Sequence, residues 1–95
     1  MADYKLANEA KEDLIRIHQY GARTFGMAQA DRYFNKLFEC FDKIAERPFS
    51  FESVETIRKG YRRCTCGSDS IYFKVSDLSV EIMAIVGRQD VGGIL

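Results

Sequence analysis

Residues 61–87, YRRCTCGSDSIYFKVSDLSVEIMAIVG, decide the fold. Three runs rich in β-branched and aromatic residues, 61–66, 70–76 and 79–87, are separated by the tight turn signals Gly67-Ser68-Asp69 and Asp77-Leu78. That pattern predicts a three-stranded antiparallel meander. In the middle run Ile71, Phe73 and Val75 alternate with Tyr72 and Lys74, so one face is apolar. In the last run Val80, Ile82, Ala84 and Val86 oppose Glu81, Met83 and Ile85. A strand apolar on both faces belongs inside a sheet rather than at its edge.

Upstream of the meander the period changes. Ala30, Tyr33, Phe34, Leu37, Phe38, Phe41, Ile44 and Ala45 recur at helical spacing, with charges filling the other side, and Pro48 closes the segment. Before it, Ala10, Leu14, Ile17, Gly21 and Phe25 mark a first helix, with Asn8 as its expected cap and Gly26 at its end. Residues 3–7 alternate with Tyr4 and Leu6 on one side and read as a short strand. Residues 47–60, RPFSFESVETIRKG, have no clean period and read as a loop with at most a helical turn. The expected architecture is α+β in the order β-α-α-β-β-β, a helix hairpin packed on one face of a mostly antiparallel sheet.

Ninety-five residues make a single domain, 1–95, with no room for a second core. At 46% hydrophobic and 29% charged residues, with one proline, the composition is that of a folded chain and not a disordered tail. Fourteen basic residues balance fourteen acidic ones, which argues against capture of nucleic acid or an anionic membrane by net field alone. No apolar run reaches the ~20 residues that span a bilayer, and the charged start MADYKLANEAKEDL is unlike a signal peptide. A cytoplasmic protein that neither spans nor binds a membrane is therefore expected. The odd count of three cysteines, Cys40, Cys64 and Cys66, argues against a disulfide framework.

The overall neutrality conceals a basic stretch. Residues 47–66 carry five bases, Arg47, Arg58, Lys59, Arg62 and Arg63, against the acids Glu52 and Glu55. Arg62 and Arg63 fall on opposite sides of one strand, so only one of them can join Arg58 and Arg88 in a shared cleft. Such a patch suits a phosphate or an acidic protein surface. Solvated charges that protect an edge strand from aggregation would account for it equally well. Glu52 and Glu55 are expected to pair with Arg58 and Arg62.

Other side chains point to less chemistry. Cys64-x-Cys66 lacks the further ligands a zinc site needs, since the lone His18 lies on the first helix, so both read as small core residues. His18 has no evident nucleophile beside it. Phe49 and Phe51, two phenylalanines in a loop, either close the core or meet a partner. The sheet face opposite the helices is left without a cover, and Tyr72, Met83 and Ile85 are expected on it as a partner site. No cofactor or metal is expected.

Taken in order, Tyr4-Lys5-Leu6, AKEDLIRI (10–17), AQADRYFNKL (28–37), Gly60-Tyr61-Arg62-Arg63, SIYFKV (70–75) and VEIMAIVGRQD (80–90) resemble the ParE toxins of the RelE/ParE superfamily. The specific part is the combination of Asp13-Leu14, Ala30-Asp31-Arg32-Tyr33, Gly60-Tyr61-Arg62 and the closing Gly87-Arg88-Gln89-Asp90. The resemblance implies the toxin of a bacterial type II toxin–antitoxin system, which poisons DNA gyrase without catalysis and forms a hetero-oligomer with a ParD-like antitoxin. It does not imply sequence-specific nucleic-acid binding by the toxin itself. On this reading Arg58, Arg62, Arg88, Gln89 and Asp90 are target-binding candidates, and Tyr72, Met83, Ile85, Phe49 and Phe51 are antitoxin-binding candidates. No catalytic residue is expected.

The sister RelE branch supplies the alternative, a ribosome-dependent mRNA endonuclease. RNA cleavage by the 2′-hydroxyl needs a base, an acid and a cation at the phosphorane. Arg62 and Arg88 could supply the cation, but no Tyr or His follows Arg88. The chain also departs from the family pattern, with Ala7-Asn8 where Ser-Pro is common and Val86 where a His often precedes the Gly-Arg.

Overall fold

A computed structural model of the chain describes residues 3–77 and 79–87. The elements are β1 (Tyr4–Leu6), α1 (Asn8–Phe25), α2 (Met27–Glu46), a 3-10 turn (Pro48–Ser50), β2 (Glu52–Ser53), β3 (Arg62–Cys66), β4 (Asp69–Ser76) and β5 (Ser79–Gly87). The five strands form one sheet in the order β1-β5-β4-β3-β2, antiparallel except where β1 runs parallel to β5. The expected α+β meander and hairpin are present. β2, a two-residue edge strand paired through Glu52 with Arg63 and Ser53 with Arg62, replaces part of the expected loop.

The start of α1 differs from expectation, for a physical reason. The Ala7 N–H donates to the Ile82 carbonyl at 2.9 Å and so prolongs the β1 ladder, while the Ala7 carbonyl already accepts from Lys11. Ala7 is thus the capping residue, Asn8 lies inside the helix, and no side chain caps the end. Gly26, with φ of 93°, ends α1 and begins α2. Only glycine adopts that backbone freely, which lets two helices turn through one residue. The helices then approach closely at Gly21, where an added Cβ would lie 3.3 Å from the Ala30 Cβ.

The larger core lies between the hairpin and the sheet. Ala10, Leu14, Leu37, Phe41 and Ile44 meet Cys64, Cys66, Ile71, Phe73, Val80, Ile82 and Ile85. Phe41 contacts Tyr4 and Phe38 with ring centroids 5.4 Å and 5.1 Å away, and Phe38 continues to Phe34. The stripe of α1 leaves this core at its C-terminal end, where Phe25 is exposed.

The opposite sheet face is not bare. Residues 54–61 fold across it, held by Val54 N–H to the Tyr61 carbonyl at 2.9 Å and by successive turns on the Val54 and Arg58 carbonyls. Val54 and Tyr61 are buried there with Tyr72, Ala84 and Val86, and Ile57 and Met83 pack at the margin. The expected apolar alternation of β5 also breaks. Tyr72 pairs with Ala84 but Phe73 pairs with Ile82, so Met83 is an extra residue in the strand. This bulge shifts the alternation by one position. Ile85 therefore joins Val80 and Ile82 on the helix side, and Ala84 and Val86 fall on the other.

Candidate functional site

On the second face, Arg58 and Tyr61 are positioned by the turns of residues 54–61. The Arg58 guanidinium carbon lies 5.7 Å from the Tyr61 ring centroid, a cation–π arrangement. Among the described residues Arg58 forms no ion pair. It borders a cavity of about 250 Å³ whose other walls include Tyr61, Met83 and Ala84 and the start of α1 at Ala7, Asn8 and Glu9.

Arg62 does not join Arg58. Its side chain lies on the helix side of the sheet, donating to the Phe51 carbonyl at 2.7 Å with its guanidinium 5.0 Å from the Phe49 ring. Strand alternation places Arg63, and not Arg62, on the side of Tyr61. Glu52 correspondingly pairs with Arg63, at 2.7 Å, rather than with Arg58 or Arg62. Across the ladder Arg63 faces Tyr72. The Tyr72 hydroxyl and then Glu52 hold the Arg63 pKa above its ordinary value, but nothing meets that buried hydroxyl at hydrogen-bonding geometry among the described residues. Arg88, Gln89 and Asp90 lie outside the described residues.

The expected apolar partner site is rearranged. Tyr72 and Ile85 are fully buried, Tyr72 beneath residues 54–61 and Ile85 beneath the helices, so neither lies on an open face. Met83 is half-buried at the bulge. Phe51 helps close the larger core, its ring at right angles to Phe73 with centroids 5.9 Å apart. Phe49 is 69% exposed. Further exposed apolar groups lie where the helices meet, Tyr20, Phe25 and Met27. The sequence reading places Phe25 on the apolar stripe of the first helix, but the structure exposes it, because the stripe leaves the core at the end of α1.

Tyr20 and Phe25 line a cleft of about 530 Å³ between the hairpin and the far end of β4 and β5. Its floor is polar. Tyr33 donates to Asp69 at 2.5 Å, and the Cys66 carbonyl lies 2.9 Å from the same hydroxyl. Burial and the Asp69 carboxylate push the Tyr33 phenol well up, so it stays protonated as a donor. The ring rests against Gly67, where a Cβ would come within 2.7 Å of it and φ is +60°.

Arg16, in the cleft wall, donates to the Ile85 carbonyl at 3.3 Å, and Asp13 accepts the Ile85 N–H at 2.9 Å. One helical turn thus satisfies both backbone groups of Ile85, beyond the reach of β1, which gives Asp13 a structural role. His18 meets Asp31 across the hairpin at 2.8 Å and stacks edge-on with Phe34, consistent with a structural histidine. Among the described residues no group of three or more His, Cys, Asp or Glu side chains is arranged to hold a metal, and no helix is long and apolar enough to cross a membrane.

The model of the family described as ParE toxin of type II toxin-antitoxin system, parDE, matches residues 4–92. The chain belongs to this ParE toxin family. It is 36% identical over 86 residues to Toxin ParE1 of Caulobacter vibrioides, covering 90% of this chain and 88% of that protein. It is 29% identical over 73 residues to Toxin ParE1 of Mycobacterium tuberculosis, covering 77% and 74%. A solved structure described as a chromosomal ParDE TA system from P. aeruginosa superposes with a TM-score of 0.81 at 19% identity, covering 92% of this chain and 96% of that one. At that identity the likeness speaks for the fold alone, two helices on a five-stranded sheet.

Proposed function

We propose that this ParE-family toxin acts by binding rather than by catalysis, that its target is DNA gyrase, and that a ParD-like antitoxin holds it inactive in the cytoplasm. The observation that carries the reading is Arg58, exposed, seated on Tyr61 at the mouth of a cavity and without an ion-pair partner among the described residues. Such a cation is free to meet an acidic protein surface. Lys59 lies beside it and extends its positive field, whereas Arg63 is paired with Glu52 and Arg62 is held by Phe51 and Phe49. Arg88, Gln89 and Asp90 continue from the end of β5 and belong to the same proposal by sequence.

Tyr20, Phe25 and Met27, with Phe49 and Met83, give an antitoxin exposed apolar area to cover. An amphipathic helix laid in a groove is the physical form of such a contact. Tyr72 and Ile85 enter this scheme only as the support beneath it. The deciding experiment measures supercoiling by purified gyrase beside ribosome-dependent mRNA cleavage, each with and without the antitoxin. Inhibited supercoiling that the antitoxin relieves, with intact mRNA, is expected. Cleaved mRNA with unaffected gyrase would contradict the reading and favour the RelE-like endonuclease.

A further inference from the structure

Cys64 and Cys66, read from the sequence as small core residues, share one packed interface with Cys40. Cys64 and Cys66 are neighbours on the helix side of β3, at 7% and 2% exposure, and Cys40 of α2 packs against the same cluster. The Cys66 thiol donates to the Lys36 carbonyl at 3.8 Å. Lys36 lies one turn before Cys40, so its carbonyl is the one that accepts the Cys40 N–H within α2. The Cys66 sulfur therefore sits against the very turn that carries Cys40. Cys40 is the half-buried member and the one a reagent reaches first. A bond between Cys64 and Cys66 is disfavoured, because alternate residues of a strand lie about 6.6 Å apart, near the upper limit of Cα separation for a disulfide.

We propose that Cys40 and Cys66 form a thiol modification site that a small-molecule disulfide such as oxidised glutathione closes into a disulfide between α2 and β3. The Cys40 thiolate attacks one sulfur of the small disulfide. A mixed disulfide forms, and the first small thiolate leaves and takes up a proton. The Cys66 thiolate then attacks the Cys40 sulfur and expels the second small thiol. Two protein thiols are oxidised and one small disulfide is reduced to two thiols, so atoms and electrons balance. The second step is slow at neutral pH, because burial and the neighbouring Cys40 hold the Cys66 thiol up to about 12. The closed form pins the hairpin to the sheet. This inference is independent of the proposed target and antitoxin.

The test treats the full native chain with oxidised glutathione at neutral and alkaline pH, followed by intact-mass analysis and peptide mapping. The expected result is a glutathione adduct on Cys40 that converts, faster at higher pH, to a monomer two hydrogens lighter with residues 37–43 joined to residues 64–74. The melting temperature should rise by roughly 10 °C and fall back on reduction. Cys64→Ala should still close, whereas Cys40→Ala and Cys66→Ala should not. If a variant fails to fold, fragmentation of the linked wild-type peptides between Cys64 and Cys66 assigns the partner of Cys40. A folded chain that carries the adduct without ever losing two hydrogens overturns the proposal. So does a link that persists in Cys66→Ala through Cys64, or one that forms only between two molecules.

Discussion

The two faces of the sheet are built to different depths. The helix face buries Leu37, Phe41, Ile44, Ile71, Phe73, Ile82 and Ile85 without exposure, and aromatic rings continue from Tyr4 through Phe41 and Phe38 to Phe34. The second face buries Tyr72, Ala84 and Val86 beneath one irregular segment, which contributes Val54 and Tyr61, and leaves a cavity beside Arg58. Burial at about 25 cal/mol per Å² of apolar surface makes the first face the main source of stability. The second face gives up such area and carries an exposed cation on an aromatic ring. On the proposed reading, the toxin holds its fold with one side of the sheet and offers the other to its target.

The comparison breaks first at Phe41. Phe41→Ala removes a ring at the centre of the larger core and should cost about 3–5 kcal/mol, read as a loss of urea midpoint. A cost under about 1 kcal/mol would mean that the helix face does not dominate. The next effect is one of pH. Cys64 and Cys66 are held up to about 11 and about 12, mainly by burial, against the ordinary 9.0 expected once unfolded. The folded state therefore binds these protons more tightly. Their contribution is complete below about pH 9 and is lost as pH rises through 11 and 12. Urea midpoints should accordingly fall in that alkaline range, and the double variant Cys64→Ala/Cys66→Ala should flatten the fall.

The smallest effect belongs to the second face. The Tyr72 hydroxyl is buried without a partner at hydrogen-bonding geometry among the described residues. Removing an unsatisfied polar group of this kind is nearly neutral or favourable, so Tyr72→Phe should change stability by no more than about 1 kcal/mol. A larger loss would show that Arg63 or water meets that hydroxyl.

What was legible in the sequence follows the same division. The meander, the hairpin and the helix-side stripe were readable because period and turn chemistry agree along them, from Ile71, Phe73 and Val75 to the Gly67 turn. The bulge at Met83 was not, since VEIMAIVG alternates acceptably in either register and only the pairing of Tyr72 with Ala84 and Phe73 with Ile82 reveals the slip. The cover over the second face was hidden for a related reason. Val54, Ile57 and Tyr61 are spaced by neither period, and their burial depends on the turns at the Val54 and Arg58 carbonyls. The candidate site suffered most, because the partition of Arg58, Arg62 and Arg63 between faces depends on where β3 begins. Asp13 stood out within the resemblance, yet its part in satisfying β5 needs the third dimension.

The central claim is that the second face acts while the helix face holds the fold, and Arg58→Ala tests it most directly. The quantity to measure is the concentration of toxin that halves gyrase supercoiling, together with the melting temperature of the same sample. The guanidinium is exposed and its contact with Tyr61 is worth only about 0.5–1 kcal/mol, so melting should move by a few degrees at most. Inhibition should weaken by about tenfold or more, the loss expected when a binding charge is removed. Wild-type inhibition at unchanged melting would contradict the account.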